Sequence, residues 1–165
     1  MKAKVKITLA ILATGALVPC LASGQSLQSE RTISLNAAIE MASAGLERCR
    51  ADGYKVTITV LNRHARTALV LSDDGASPHT AENSMRKAYT AFTTRVSSGE
   101  MIKRPESLLR GLLLLDKLTV NEGGLPILAG KELVGAIGVS GSPGGDKDAA
   151  CATVGIDKIA KKLAE

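Results

Sequence analysis

The order in which helical and strand-like apolar patterns follow one another is the feature that most constrains this fold. An amphipathic helix pattern begins near Ser34, and two β-branched segments and a second helix pattern follow it. Three further apolar segments and a final helix pattern complete the chain. Because strands and helices do not alternate strictly, the order argues against a doubly wound parallel sheet. It predicts an α/β fold of the α+β kind, a five-stranded antiparallel sheet flanked by helices.

The first half of the domain should contain two helices and a hairpin. Ser34 is expected to cap the first helix, which ends near Gly53. The helix carries apolar residues at spacings of three and four: Leu35, Ile39, Ala42, Leu46 and Cys49. Residues 55–62 and 66–72 are rich in β-branched and aliphatic side chains, and NRHA between them predicts a tight turn.

The second helix is expected to begin after a cap at Thr80. Its predicted inward stripe consists of Ala81, Met85, Ala88 and Phe92. Arg86, Lys87 and Arg95 should then point to solvent or to a ligand. Residues 112–120, 124–130 and 132–140 predict three more strands. The final helix should present Ala152, Ile156, Ile159 and Leu163 on one face.

The N-terminal residues 1–24 have the pattern of a cleavable signal peptide. Lys2, Lys4 and Lys6 precede an apolar run over 7–18, and small residues at Ala22 and Gly24 suit a cleavage site. The run is too short for a transmembrane anchor, for which about 20 apolar residues are needed. Cys20 leaves lipidation as an alternative. We therefore expect residues 25–33 to be a flexible tail, residues 34–165 to be the domain, and the protein to be periplasmic or secreted.

Charge and aromatic content argue against a nucleic-acid partner. Cleavage removes three of 21 basic residues and none of 16 acidic ones, which leaves 18 against 16, a net charge of +2. With one Phe, two Tyr and no Trp, the chain offers neither a basic patch for phosphates nor a stacking platform for bases.

Two cysteines remain after cleavage, Cys49 and Cys151. In an oxidising compartment they are candidates for a disulfide. The alternative, two buried thiols that pack as small apolar side chains, stays open at this stage because sequence alone does not give the distance between the two Cα atoms.

Motifs for catalysis are weak. The glycine-rich segment 138–147 precedes a helix, but it lacks both the P-loop spacing and the dinucleotide fingerprint. Two histidines and no CxxC pair do not predict a zinc centre, and no nucleophile is marked beside either histidine. The sequence therefore favours binding over enzymatic catalysis.

His79 is the candidate ligand of a metal. It precedes the predicted cap at Thr80, where the positive end of the helix favours a neutral imidazole, the form that coordinates iron. Helix amides with Lys87 or Arg86 could receive a propionate, and Met85 could supply an apolar wall. The alternatives are a hydrogen bond from His79 to the capping turn, and a solvated position for His64 in its hairpin turn.

Two segments carry a resemblance to a known family. VLNRHARTALVLSDDGASPHTAENSMRKAYTAFT and GGLPILAGKELVGAIGVSGSPGGDKDAACA occur in order, and together they resemble the GlcG/HbpS family of haem-binding proteins and the related C-terminal domain of PduO. The resemblance implies a profilin-like fold, homo-oligomerisation and haem or iron binding. It implies His79 as the haem ligand, with Thr80 and Lys87 as supporting contacts. The family often has Gly where this chain has Ala65.

Three functions follow for testing. The first is an exported, non-enzymatic haem-binding protein for uptake, storage or sensing, in which His79 binds the iron and His64 is an additional haem-site residue. The second is an enzyme or enzyme accessory that acts on a corrinoid or a small metabolite. The third is an oligomeric module that passes a redox or haem signal to a membrane receptor.

Overall fold

A computed structural model describes residues 28–164. The predicted signal peptide lies outside the described residues, as does the start of the predicted tail. Five α-helices, four strands and one 3-10 helix follow in this order: α1 Leu35–Ala51, β1 Thr57–Asn62, β2 Thr67–Ser72, α2 His79–Thr94, the 3-10 helix Ser98–Lys103, α3 Glu106–Leu113, β3 Gly124–Ala129, β4 Glu132–Ser140, α4 Gly145–Lys158 and α5 Ala160–Leu163. Within the described residues, no helix is long and apolar enough to cross a membrane.

The sheet is antiparallel and has the strand order β2-β1-β4-β3. β1 lies at its centre, where Thr59 pairs with Val70 of β2 and with Gly138 of β4. On the other side of β4, Leu125 of β3 pairs with Ile137. The predicted antiparallel sheet flanked by helices is confirmed.

The predicted fifth strand over 112–120 is wrong. Its leucines instead close α3 and continue into a turn, and Leu114 is 83% exposed. The backbone N–H of Thr119 donates to the Thr90 hydroxyl of α2 at 2.9 Å instead of joining a strand ladder. The run of apolar residues suited a strand by composition, but the helix that starts at Glu106 includes its first two residues and a turn follows.

Helices α1 and α4 pack together against one face of the sheet. Ile58, Val60, Ile137 and Val139 alternate along β1 and β4 and are buried beneath them. Gly45 permits close approach, since a Cβ there would lie 3.0 Å from the Cys151 carbonyl oxygen. The sulfur atoms of Cys49 and Cys151 are 2.09 Å apart, so the structure joins α1 to α4 by a disulfide.

Helix α2 covers the opposite face through small and polar side chains. The hydroxyl oxygens of Thr57 and Thr80 lie 2.8 Å apart, and those of Thr59 and Ser84 lie 2.7 Å apart. A Cβ on Gly138 would lie 2.1 Å from the Ser84 carbonyl oxygen. Helix and sheet are therefore in backbone contact, and glycine is required at this position.

The predicted ends of the helices were right at α1 and wrong at α2 and at the C-terminus. Ser34 caps α1 and accepts a hydrogen bond from the Ala37 backbone N–H at 3.2 Å. Helix α2 begins one residue before Thr80, whose hydroxyl donates to the Ser77 carbonyl at 2.6 Å and caps nothing. The structure has two helices, α4 and α5, where a single final helix was predicted, because the chain leaves helical geometry at the buried Ile159.

The predicted inward stripe of α2 also needs correction. Ala88 is buried, but Ala81 is exposed and Met85 and Phe92 are only half-buried. The helix instead buries six small, polar or charged residues: Thr80, Ser84, Lys87, Ala88, Thr90 and Ala91. The apolar-stripe rule failed because part of the sheet face beneath α2 is polar, with Thr57 and Thr59 on β1, while only the part near Leu61 and Ala136 is apolar.

A buried carboxylate closes the loop after β2. Asp73 accepts hydrogen bonds from Arg50 Nε at 3.0 Å and from its terminal Nη2 at 2.7 Å. These bonds to the guanidinium hold the pKa of the Asp73 carboxyl below its ordinary value. The contact ties the end of α1 to the segment that leads into α2.

Candidate functional site: two clefts at the ends of helix α2

An open cleft of about 520 Å³ lies at the N-terminal end of α2. We call it the His79 cleft. The start of α2, the 3-10 helix, residues 120–122 and the glycine-rich segment 140–146 surround it. Helices α2 and α4 both begin at its wall, so backbone N–H groups of two helix N-termini are presented there.

His79 is the first residue of α2 and its side chain is exposed at this cleft. Within residues 28–164 its imidazole makes no hydrogen bond or ion pair, so the alternative role in the capping turn is not what the described residues show. An accessible imidazole therefore borders a cleft with room for a ligand.

Lys87 corrects the prediction that it points to solvent. Its side chain is 3% exposed, and Nζ donates to Asp148 Oδ2 at 2.6 Å and to the Val139 carbonyl oxygen at 2.9 Å. Asp148 Oδ1 in turn accepts hydrogen bonds from the backbone N–H and the hydroxyl of Ser142, at 3.1 and 2.6 Å. This buried pair forms the floor of the His79 cleft and ties α2, β4 and α4 together.

Sequence reasoning missed Asp148 and the inward orientation of Lys87. A signal existed, because Thr80, Ser84, Lys87 and Ala91 recur at spacings of four, three and four. Because this stripe is polar, a search for apolar periodicity does not select it. Gly123 completes the arrangement: a Cβ there would lie 2.7 Å from Asp148 Cβ and 3.0 Å from Lys87 Nζ.

Other predicted contributors lie elsewhere. Arg86 does not line the His79 cleft; it pairs with Glu82 at 2.6 Å, and both residues border a separate shallow hollow together with His79. Met85 does not line the cleft, whose apolar lining comes from Ile102, Val120 and Pro143.

His64 lies at a second cleft, of about 500 Å³, near the C-terminal end of α2. We call it the His64 cleft. It is formed by the β1–β2 turn, the last turns of α2 and the β3–β4 turn. The 16 residues of α2 span about 24 Å at 1.5 Å per residue, so the structure does not bring the two histidines to one site.

The described residues thus define a class of protein: a small α+β domain with a four-stranded antiparallel sheet, and an open cleft at each end of one covering helix. The chain belongs to the HbpS-like family, whose model, described as haem degrading protein HbpS-like, matches residues 33–157. The match spans every helix and strand from α1 to nearly the end of α4.

Solved structures and a sequence relative agree with this assignment. The structure of HbpS is 33% identical with a TM-score of 0.77 and covers 82% of this chain and 96% of its own. A double mutant of Streptomyces reticuli HbpS is 32% identical with a TM-score of 0.77 and covers 86% and 97%. An uncharacterized 15.0 kDa protein of Citrobacter freundii, from the dhaT-dhaS intergenic region, is 32% identical over 69% of this chain and 83% of its own.

A more distant structure shows the fold alone. The PduOC:heme complex is 23% identical to this chain, with a TM-score of 0.72 over 78% of this chain and 95% of its own.

Proposed function

We propose that this protein binds haem in the His79 cleft. The observation that carries the proposal is the exposed imidazole of His79, which makes no contact that would have to be broken before it coordinates a metal. Membership of the HbpS-like family, whose description names haem, supports the choice of ligand. The HbpS structures at 32% and 33% identity support a shared arrangement of the elements around the cleft.

The residues at the cleft fit the group. A volume of about 520 Å³ lies within the range of cofactor sites. Ile102, Val120 and Pro143 supply apolar surface, and the N-termini of α2 and α4 supply amides for carboxylates. Haem would supply an iron centre, and the His79 imidazole would hold it.

Thr80 and Lys87 have indirect roles in this proposal. The Thr80 hydroxyl is bonded to Ser77 and lies against Thr57, and the Lys87 ammonium is bonded to Asp148. They hold the start of α2 and the cleft floor in place, and His79 alone is the iron ligand.

A hemin titration of the purified protein tests the proposal. We expect a Soret band that saturates at a stoichiometric ratio and is lost in His79→Ala. His64→Ala is the matched control, because it removes the other imidazole at a distant cleft, and its band should remain. An unchanged Soret band in His79→Ala would remove His79 from the site and refute the assignment.

The family description names haem degradation, which favours an enzyme as the second candidate. The two are separated by following the loaded protein over time in aerated buffer, with dioxygen as oxidant and ascorbate as electron donor. A binding protein retains its Soret absorbance, whereas a degrading enzyme loses it and releases iron that a ferrous chelator detects. Loss of the band in the loaded protein, at a rate well above that of free hemin under the same conditions, would favour the enzyme.

Export and self-association are further parts of the proposal. The pattern of residues 1–24 supports removal of a signal peptide, and an intact mass that matches a chain starting after Ala22 or Gly24 would establish it.

Exposed leucines within and after α3 support a homo-oligomer, since apolar side chains in such number seldom stay open to water: Leu108, Leu113, Leu114 and Leu115. Sedimentation at a monomer mass across micromolar concentrations would contradict the oligomer.

A further inference from the structure

The His64 cleft combines an apolar wall with positive charge. Tyr89 and Phe92, two of the three aromatic residues in the chain, project from successive turns of α2 into its lining, and Leu133 lies there as well. Both rings are half-buried, so part of each remains open to the cleft. Arg63, Arg95 and Lys131 also line it.

The charges at this cleft are not balanced. Arg63 donates to Glu132 at 2.8 Å and lies 3.4 Å from Glu30, so it engages both acidic residues of the lining. Arg95 and Lys131 form no ion pair with any residue from 28 to 164. Two exposed cations next to aromatic rings therefore face the cleft without counter-charges, and this attracts an anion.

His64 also lines this cleft, and its surroundings do not favour iron. Its Nε2 lies 3.7 Å from Glu30 Oε2, so a carboxylate stands where a metal would approach this nitrogen. The cleft therefore suits an organic anion, whereas the exposed His79 suits a metal.

Backbone geometry points to the same place. Within the described residues, Ala65 and Arg95 are the two non-glycine residues with positive φ, at 55° and 60°, and both line the His64 cleft. Arg95 ends α2 in the left-handed region, a position that helices usually give to glycine. An arginine there costs conformational energy, and what it adds is a guanidinium at the cleft.

We propose that the His64 cleft binds a planar aromatic carboxylate. The aromatic body would lie against Tyr89 and Phe92, and the carboxylate would pair with Arg95 and Lys131. An arginine fork and a lysine ammonium both bind carboxylates through charge-assisted hydrogen bonds. This site is separate from the His79 cleft and does not depend on haem binding there.

Calorimetric titration of the full chain with 2-naphthoate tests the proposal. We expect saturable binding of one molecule per chain, and a roughly tenfold or greater loss of affinity in Arg95→Gln and in Lys131→Gln, the size of one lost charge-assisted hydrogen bond. The uncharged analogue 2-naphthylmethanol should bind at least as weakly. Affinity unchanged in both variants, or no saturation at millimolar 2-naphthoate, would overturn the proposal.

Two further variants serve as controls. Arg95→Gly should raise the melting temperature, because it relieves the left-handed backbone, and should still lose affinity for 2-naphthoate. A variant that is less stable than the parent would contradict the strain argument.

His79→Ala should bind 2-naphthoate as the parent does, which separates this site from the haem proposal. Displacement of 2-naphthoate by hemin from His79→Ala would place haem in the His64 cleft and overturn the assignment of two ligands to two clefts.

Discussion

Replacing Lys87 by Met leaves the Asp148 carboxylate buried without its cation. Both side chains are 3% exposed, so water cannot take the place of the lost partner. Breaking a buried pair from one side costs about 3 to 5 kcal/mol. Small domains have a total unfolding free energy of about 5 to 15 kcal/mol, so the loss is a large share of it. Asp148→Asn should be costly for the same reason, since it leaves the ammonium unpaired.

The double variant Lys87→Met, Asp148→Asn removes both charges and keeps an amide oxygen for Ser142. We expect it to be less destabilised than the sum of the two single variants, with a coupling of about 1 kcal/mol or more between them. Urea unfolding measures the unfolding free energy that each variant loses, as a shift of the transition midpoint at an unchanged m-value.

The exposed pair of Glu106 and Arg110 on α3 provides a control of similar geometry. Both of its side chains are 77% exposed, and its loss should cost no more than about 0.5 kcal/mol. Single variants at Lys87 and Asp148 that cost as little as this control, and that add without coupling, would refute the argument that a dry ion pair forms the floor of the cleft.

Three other predictions concern stability and are read from urea midpoints. Replacing Cys49 and Cys151 by Ala should cost about 4 to 5 kcal/mol by the loop-entropy estimate, because the disulfide closes a separation of 102 residues, and a loss below about 1 kcal/mol would refute it. Gly138→Ala should cost about 3 kcal/mol or more, since its Cβ would meet a backbone oxygen of α2 at 2.1 Å. Gly111→Ala on α3, where a Cβ meets nothing within 4 Å, should instead add about 0.5 to 1 kcal/mol, and equal losses in the two would contradict the packing argument. The pKa of Asp73 is lower in the folded state than its unfolded value near 3.8, so the ionised carboxylate stabilises the fold above that pH. This stabilisation is lost as the pH falls through the folded pKa. Between pH 5 and 2 the parent should therefore lose more unfolding free energy than Asp73→Asn.

The parts of the fold that follow a simple periodicity could be predicted from the sequence. Ser34 and the apolar stripe that follows it predicted α1, and segments rich in β-branched and aliphatic residues predicted β1 and β2. Glycine turns separated β3 from β4. In each case the local pattern and the tertiary environment favour the same structure.

The errors arose where tertiary contacts decide. The run of leucines from Leu112 to Leu115 has no period that separates a buried strand from the end of a helix. Thr80 fits a cap by residue type, but α2 begins at His79, and the Thr80 hydroxyl donates to the Ser77 carbonyl and lies against Thr57. Lys87 seemed a surface residue because its partner Asp148 lies 61 positions away in the sequence.

The candidate site was predictable only in part. His79 could be singled out from its place before a helix, and the structure puts it at the mouth of a cleft. His64 lies near the opposite end of α2 because of the way this helix crosses the sheet. No local sequence pattern predicts that crossing. The unbalanced charges of Arg95 and Lys131 likewise come from two turns that are distant in sequence.

The hydroxyl contacts beneath α2 have a consequence for alignment. Aliphatic surfaces can slide past one another with little penalty, but Thr57 with Thr80 and Thr59 with Ser84 match at a single offset. Because Thr80 and Ser84 are themselves about one turn apart, a shift of the helix by about 5.4 Å would restore at most one hydroxyl contact of this kind and leave the other two hydroxyls without such a partner in a dry layer. These hydroxyl contacts therefore fix the position of α2 along the sheet, and with it the positions of the two clefts at the ends of the helix.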